Sequence, residues 1–109
     1  MGEASLQASQ KTSADGPLER YTLRLYVTGA TPSSGRAIAN LKALCEEHLQ
    51  DRYDLEVVDV YQQPHLAEED RIMAIPTLIK RFPLPLRRMV GDLSEPKSVL
   101  LRLDLSPAA

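Results

Sequence analysis

Thiol and imidazole groups, which often act as nucleophiles or metal ligands, are few in this 109-residue chain: there are one cysteine and two histidines. A single cysteine excludes an intrachain disulfide and a Cys-x-x-Cys redox or zinc motif. Cys45 could still be the nucleophile of a one-cysteine thiol oxidoreductase or peroxidase. It follows Leu41 by four residues on one apolar helical stripe, which favours a buried structural thiol instead. His48 and His65 have no carboxylate cluster beside them in the sequence, so we expect surface positions and no metal or cofactor.

The composition is typical of a soluble globular protein, with 43% hydrophobic and 26% charged residues. A formal net charge of -2 gives no electrostatic reason to expect nucleic acid as a partner. No apolar run approaches the roughly 20 residues of a membrane helix, and the polar N-terminus lacks the apolar core of a signal peptide. A lone thiol fits a reducing compartment. These features predict a cytoplasmic protein that does not contact a membrane.

The chain is long enough for one folded domain, which we expect to span residues 20–105. Residues 1–19 contain few large apolar side chains, chiefly Leu6 and Leu18. Such a segment buries too little surface to offset its ordering entropy, so it is predicted to be a disordered extension. Residues 106–109 are expected to form a short tail.

Hydrophobic spacing predicts seven secondary-structure elements. Residues 21–28 alternate apolar and polar side chains, which indicates a strand with one buried face. Thr31 and Pro32 suit the N-cap and first position of a helix that runs to about Gln50. The remaining elements are a largely buried strand at 54–60, a short helix opened by residues 62–64, strands at 78–82 and 87–90, and a final segment at 94–105. The acidic run at 68–70 is predicted to lie on the exposed face of the short helix.

The final segment fits two patterns. Ser94 is suited to cap a helix in which Val99 and Leu103 keep helical spacing. A strand would instead be favoured by the alternation of leucines with charged residues: Leu101, Arg102, Leu103, Asp104, Leu105. A C-terminal helix is the usual outcome, but the same residues are compatible with two folds.

Three prolines, Pro76, Pro83 and Pro85, fall within residues 74–94. Proline lacks the amide that a sheet interior needs, so two brief strands joined by a stiff connection are expected. X-Pro bonds also adopt cis readily and exchange slowly, which suits slow conformational change. A proline-stiffened surface loop without a role is the alternative.

The predicted order of elements, βαβαββα, resembles the thioredoxin-like α/β fold. The string Ile75-Pro76-Thr77 is similar to the cis-proline turn that precedes the third strand of that family. Thioredoxins carry their redox cysteines at the start of the first helix, where this chain has Thr31-Pro32-Ser33-Ser34. A serine hydroxyl cannot replace a thiolate in disulfide exchange. The resemblance therefore implies the frame without the redox chemistry.

A closer resemblance covers about residues 21–105. The strings LRLYVTGATPSS, VVDVYQQPHLAEEDRIMAIPTLIK and PLRRMVGDLS resemble the KaiB family of circadian-clock proteins. This family is metamorphic: a thioredoxin-like form binds the hexameric ring ATPase KaiC, and a ground state with a rearranged C-terminal half assembles as a tetramer. The resemblance implies a non-catalytic, fold-switching regulator with KaiC-type, KaiA-like or histidine-kinase partners and a homo-oligomeric (dimeric or tetrameric) ground state.

The family resemblance gives the candidate sites. Basic positions implied to contact an acidic surface of the ATPase are Arg71, Lys80, Arg87 and Arg88; a solvated basic face is the alternative. Residues implied to take part in switching are Pro76, Pro83, Pro85, Arg102 and Asp104. The half up to about Tyr61 would keep its fold, and residues 62–105 would rearrange.

Two positions depart from the family pattern. Leu84 interrupts a run that is three consecutive prolines in many members, and Arg102 stands where glycine is common. Arginine favours helix over glycine by about 1 kcal/mol, so we expect a population tilted toward the thioredoxin-like form.

Two alternatives within regulatory function stay open at this point. The chain could be a KaiB-like adaptor in stress or metabolic signalling without a rhythm. It could also be a thioredoxin-like sensor domain of a histidine kinase, although the string RRMVGDLS favours the free-standing protein.

Overall fold

A computed structural model of the chain describes residues 20–29 and 31–105. The predicted extension at 1–19 and tail at 106–109 lie outside the described residues. The elements are β1 (Tyr21–Val27), α1 (Pro32–His48), β2 (Tyr53–Asp59), α2 (Pro64–Glu69), β3 (Thr77–Phe82), β4 (Arg87–Val90) and α3 (Pro96–Arg102). Their order confirms the predicted βαβαββα arrangement.

The four strands form one mixed sheet in the order β2-β1-β3-β4. Strand β1 pairs parallel with β2 and antiparallel with β3, and β3 pairs antiparallel with β4. The parallel pair requires a crossover, which α1 supplies. As predicted, α1 begins with Thr31 as N-cap, whose Oγ1 accepts from the Ser34 amide at 3.2 Å, and Pro32 as its first residue.

The larger core lies between one face of the sheet and helices α1 and α3. It combines buried residues of β1 and β3 with Leu41, Leu44 and Cys45 of α1 and Val99 of α3. The opposite face carries a smaller cluster of Tyr26, Val58 and Ile79 that packs against residues of α2 and the loop after it. The expectation that β1 has only one buried face is therefore wrong, because α2 covers the second face and buries Tyr26 completely.

Strand β2 was expected to be largely buried, and this is also wrong. Only Val58 is buried in this strand, and Val57 is 40% exposed. The reason is the sheet order. Strand β2 lies at the edge of the sheet and has a neighbouring strand on one side only, so its hydrophobic run is less covered than that of a central strand. In the described part of the chain, no helix is long and apolar enough to span a membrane.

The segment with two possible patterns is a helix in this structure. Val99 and Leu103 are buried at helical spacing, whereas Leu101 is almost fully exposed. Ser94 is not the cap: the N-cap is Glu95, without a side-chain hydrogen bond, and the Ser94 amide instead donates to Asp92 Oδ1 at 3.2 Å.

Helix α3 ends in a Schellman motif built around Asp104. The Leu105 amide donates to the Leu100 carbonyl at 2.9 Å, and the Asp104 amide donates to the Leu101 carbonyl at 3.2 Å. Asp104 takes the left-handed position of this motif, with φ of 56°. Three X-Pro bonds in the central stretch are cis: Ile75-Pro76, Phe82-Pro83 and Leu84-Pro85.

The left-handed position generates a first prediction. Replacing Asp104 with glycine should raise the free energy of unfolding of this fold by roughly 0.5–1 kcal/mol, because glycine has no Cβ to oppose a positive φ. Asp104→Ala, which keeps a Cβ and removes the carboxylate, should not be stabilising. Urea denaturation followed by circular dichroism compares the two. Equal stabilisation by both substitutions would assign the effect to charge and contradict the backbone explanation.

Candidate protein-interaction surface

Three of the four predicted partner-binding residues are exposed on or beside strand β4. Arg71 directly follows Asp70, the C-cap of α2, and is left-handed with φ of 54°; Arg87 and Arg88 open β4, and all three are exposed. The Arg88 guanidinium reaches across to α2 and donates to the carbonyls of Asp70, at 2.7 Å, and Arg71, at 3.4 Å. We call these three arginines the basic surface.

Arg87 and Arg88 point to opposite faces of the sheet because successive strand residues alternate. Arg88 lies on the α2 face. Arg87 lies on the face of the larger core, where its neighbour two residues on, Met89, packs against that core. Among residues 20–29 and 31–105, no side chain forms a hydrogen bond or ion pair with Arg87. Its guanidinium is therefore available to a partner.

Lys80 does not join the basic surface in this fold. It pairs with Leu23 on β1 and Arg87 on β4, and only 1% of its surface is exposed. Leu78, two residues earlier on the same face, belongs to the larger core. The contact of Lys80 with a partner stays a prediction, which this burial opposes.

Asp70, which precedes Arg71, is bound to three side chains of the sheet. Its carboxylate accepts from the Tyr26 hydroxyl at 2.5 Å, from Arg81 Nη1 at 3.2 Å and from Arg24 Nη1 at 3.2 Å. The side chain is 16% exposed, so the expectation that Asp70 lies on an exposed acidic face is wrong. Only Glu68 and Glu69 of the acidic run are solvated.

The partners of Asp70 stabilise its ionised form. Burial alone would raise the pKa of the Asp70 carboxyl, but the hydrogen bonds from Tyr26 and Arg81 outweigh it and lower that pKa. Burial and the bond to Asp70 raise the pKa of Tyr26. Asp70 thus stays ionised and joins the C-terminal end of α2 to β1 and β3. We call Arg24, Tyr26, Asp70 and Arg81 the Asp70 cluster.

Exposed apolar side chains lie at both ends of β4. Phe82 (58%), Leu84 (70%) and Leu86 precede it at the β3–β4 turn, and Val90 (56%) is its last residue. Large exposed apolar groups beside unpaired arginines are typical of protein-binding surfaces rather than of a catalytic cleft.

The residues expected to take part in switching lie before, between and after strands β3 and β4. Pro76 precedes β3, and Pro83 and Pro85 occupy the β3–β4 turn. Arg102 is exposed at the last turn of α3 and lines a shallow depression with Val90 and Gly91. The switching roles of these residues stay predictions.

The places where redox chemistry would occur carry structural side chains instead. Ser34 is buried, and its Oγ accepts from the Thr28 amide at 3.0 Å. Cys45 is also buried, and burial, aided by the charge of Glu46, raises the pKa of its thiol to about 12. A thiol with this pKa supplies almost no thiolate at neutral pH, which argues against the thiol oxidoreductase alternative. In the described residues, no three His, Cys, Asp or Glu side chains converge on a metal site.

The Asp70 cluster generates a second prediction. Asp70→Asn should lower the free energy of unfolding by roughly 2 kcal/mol at pH 7, because the partly buried guanidinium groups of Arg24 and Arg81 lose a counter-charge. The folded-state pKa is lowered, so Asp70 stabilises the fold above the unfolded pKa of about 3.9, and this stabilisation is lost as pH falls through the folded pKa. The variant should therefore show a flatter acid limb in urea denaturation measured from pH 7 down.

Asp54→Asn is the matched control, because Asp54 also pairs with an arginine, Arg20, but both side chains are more than half exposed. Its loss of stability should be much smaller. Equal losses for the two variants would contradict a special role for the Asp70 cluster.

Comparison with known proteins agrees with this architecture. The KaiB domain family model matches residues 24–105. The circadian clock protein KaiB3 of Synechocystis sp. is 50% identical over 90 residues, which cover 83% of this chain and 88% of that protein.

Among solved structures, the N-terminal domain of SasA from Synechococcus elongatus superimposes with a TM-score of 0.65 at 21% identity, covering 89% of this chain and 95% of that one. Mitochondrial thioredoxin 3 of Saccharomyces cerevisiae gives 0.64 at 15% identity, covering 79% and 78%. These two likenesses show a thioredoxin-like fold. The domain match and the half-identical clock protein show more: this chain belongs to the KaiB family.

Proposed function

We propose that the chain is a non-catalytic regulatory protein that binds a hexameric KaiC-type ring ATPase through the basic surface. Membership of the KaiB family supports a regulatory role in a circadian clock. The proposal locates this role in the cytoplasm, where ATP is available and a lone thiol stays reduced. A KaiA-like protein and signalling histidine kinases are the further partners that it names.

The observation that carries the proposal is the exposure of Arg71, Arg87 and Arg88 where the C-terminal end of α2 adjoins the start of β4. The Arg88 guanidinium donates to the backbone carbonyl of Arg71, which keeps the Arg88 charge beside the backbone of Arg71. Arg87 adds an unpaired guanidinium on the other face of the same strand. An acidic partner surface would gain several charge-assisted contacts here, which favour both encounter rate and orientation.

The proposal predicts slow co-elution with the ring. The chain is incubated with a KaiC-type hexamer and ATP and analysed by size-exclusion chromatography with light scattering. Arg87→Ala should weaken binding about tenfold or more, because it removes an unpaired charge from the contact. Lys42→Ala is the matched control: it removes one exposed charge from α1, away from β4, and should bind as the unmodified chain does.

Lys80→Ala is a poor probe of the same contact, since it changes a buried position. Loss of binding in both Arg87→Ala and Lys42→Ala would indicate a general charge effect. A chain that never joins the ring would move the function to another partner, such as that of an adaptor in stress or metabolic signalling.

We further propose that this thioredoxin-like form exchanges with a ground-state oligomer in which residues 62–105 are rearranged. The support is the double pattern of residues 94–105, which form a short helix here although their leucines also alternate as in a strand. Two packings need to differ by only a few kcal/mol for such exchange. Pro76, Pro83 and Pro85 all lie in the part that would rearrange.

Arg102→Gly tests the exchange. Glycine costs up to about 1 kcal/mol of helix stability, so the equilibrium constant between the two folds should move about fivefold toward the oligomer. Arg102→Ala removes the same charge but keeps helix propensity and should leave the distribution near that of the unmodified chain. The monomer and tetramer fractions are measured by light scattering. An unchanged distribution in Arg102→Gly would contradict the proposed tilt toward the thioredoxin-like form.

A further inference from the structure

Strand β4 leaves one of its edges open. It is the outermost strand on its side of the sheet and pairs only with β3, over Arg87–Val90. An open strand edge presents unpaired backbone groups that can accept another extended chain. The free backbone groups of β4 and the side chains beside them decide which kind of chain can bind.

The register identifies the free groups. The Gly91 amide donates to the Pro76 carbonyl at 2.9 Å, which makes this opposed pair a hydrogen-bonded one. Hydrogen-bonded and non-hydrogen-bonded pairs alternate along an antiparallel ladder, so Met89 and Arg87 also direct their backbone groups toward β3. Arg88 and Val90 must therefore direct their N–H and C=O groups away from β3. No other backbone group in the described residues bonds to them.

The side chains beside this edge select an acidic chain. Arg87 and Arg88 provide positive charge on both faces of the strand, and Val90, 56% exposed, provides apolar area. A second β4 strand laid antiparallel on this edge would bring like charges together, which is destabilising. The two arginines thus oppose self-pairing and favour carboxylates.

The acidic edge strand of a second copy suits this site poorly. The exposed carboxylates of β2 already have partners: Asp54 bonds to Arg20 at 2.8 Å, and Glu56 bonds to Arg24 at 2.9 Å. Pairing β2 with a foreign β4 would have to displace these contacts. An acidic segment of a different protein meets no such competition.

We propose that the open edge of β4 binds an extended acidic segment of a partner protein by strand addition. The partner's backbone bonds to Arg88 and Val90, and its carboxylates lie against Arg87 and Arg88. The inference rests on the proposed function in taking the partner's contact surface as acidic. It adds that backbone pairing as well as charge holds the partner.

Peptide backbone methylation separates pairing from charge. The probe is a fluorescent seven-residue peptide in which glutamates alternate with valines. A version methylated at alternate amides keeps one edge able to donate hydrogen bonds, whereas a version methylated at every amide keeps none, and all carry the same charge. Fluorescence anisotropy should show the alternately methylated peptide binding the full chain and the fully methylated peptide binding at least about tenfold more weakly. Equal affinities would overturn strand addition.

A substitution in the protein tests the same backbone pairing. Val90→Pro removes an amide that faces the open edge and leaves the bonds to β3 intact, as prolines on edge strands do. It should weaken the peptide about tenfold, whereas Val90→Ala, which keeps the amide, should bind nearly as tightly as the unmodified chain. If circular dichroism shows that Val90→Pro does not fold, the peptide pair decides alone.

The same variants distinguish this inference from the proposed function. Ring binding that is weakened by Arg87→Ala but untouched by Val90→Pro would overturn strand addition and keep the ring as partner. Backbone-dependent peptide binding by a chain that never joins the ring would support the acidic strand site and reject the ring. Concentration-dependent self-association that Val90→Pro abolishes would assign the edge to a second copy and overturn the proposal.

Discussion

The ionised carboxylate of Asp70 is the interaction on which the rest of the surface depends. Asp70 is the C-cap residue of α2, and its hydrogen-bond partners come from β1 and β3. One largely buried charge therefore joins the short helix to the sheet. The backbone carbonyls beside it then accept from Arg88. A buried carboxylate is costly unless it is paired and hydrogen-bonded, and here three side chains meet that cost. The arrangement positions Arg88, whose guanidinium donates to the carbonyls of Asp70 and Arg71, and leaves Arg71 exposed.

The same cluster links the two halves that the proposed exchange treats differently. Arg24 and Tyr26 lie in the half expected to keep its fold, whereas Asp70 and Arg81 lie in the half expected to rearrange. An interface of this kind favours the thioredoxin-like form, because any rearrangement of residues 62–105 that moves Asp70 would leave Arg24 without this partner. The Schellman end of α3 adds a second, local preference for this form, although with an aspartate at a position that glycine fills best.

Much of this fold follows from local patterns that the sequence displays. Thr31 and Pro32 predict the start of α1, alternation predicts β1, and the dibasic stretch predicts β4 with its observed bounds. The burial of β2 could not be predicted, because it depends on which strand occupies the edge of the sheet and not on its own residues. The burial of Lys80 and Asp70 could not be predicted either. Both have charged side chains that suggest solvent, and both are covered by elements distant in sequence.

The basic surface was predictable only in part. Motif resemblance identified Arg71, Arg87 and Arg88, but nothing local distinguished Arg88, which is engaged with α2, from Arg87, which is unpaired. A weak signal for the Asp70 cluster did exist: Arg24 and Tyr26 occupy the face of β1 that alternation predicts to be polar, where a carboxylate partner would be needed once α2 covered them. The open edge of β4 has no sequence signal at all, since it arises from strand order and ladder register.

Amide hydrogen exchange of the chain, alone and bound to a KaiC-type hexamer, tests the central claim most directly. The claim is that a partner engages the surface formed by the end of α2 and the outer edge of β4. It predicts that binding slows exchange at the amides of Arg88 and Val90 and at Arg71, while amides along the outer edge of β2 exchange as in the free chain. Protection confined to β2, with β4 unchanged, would contradict the account.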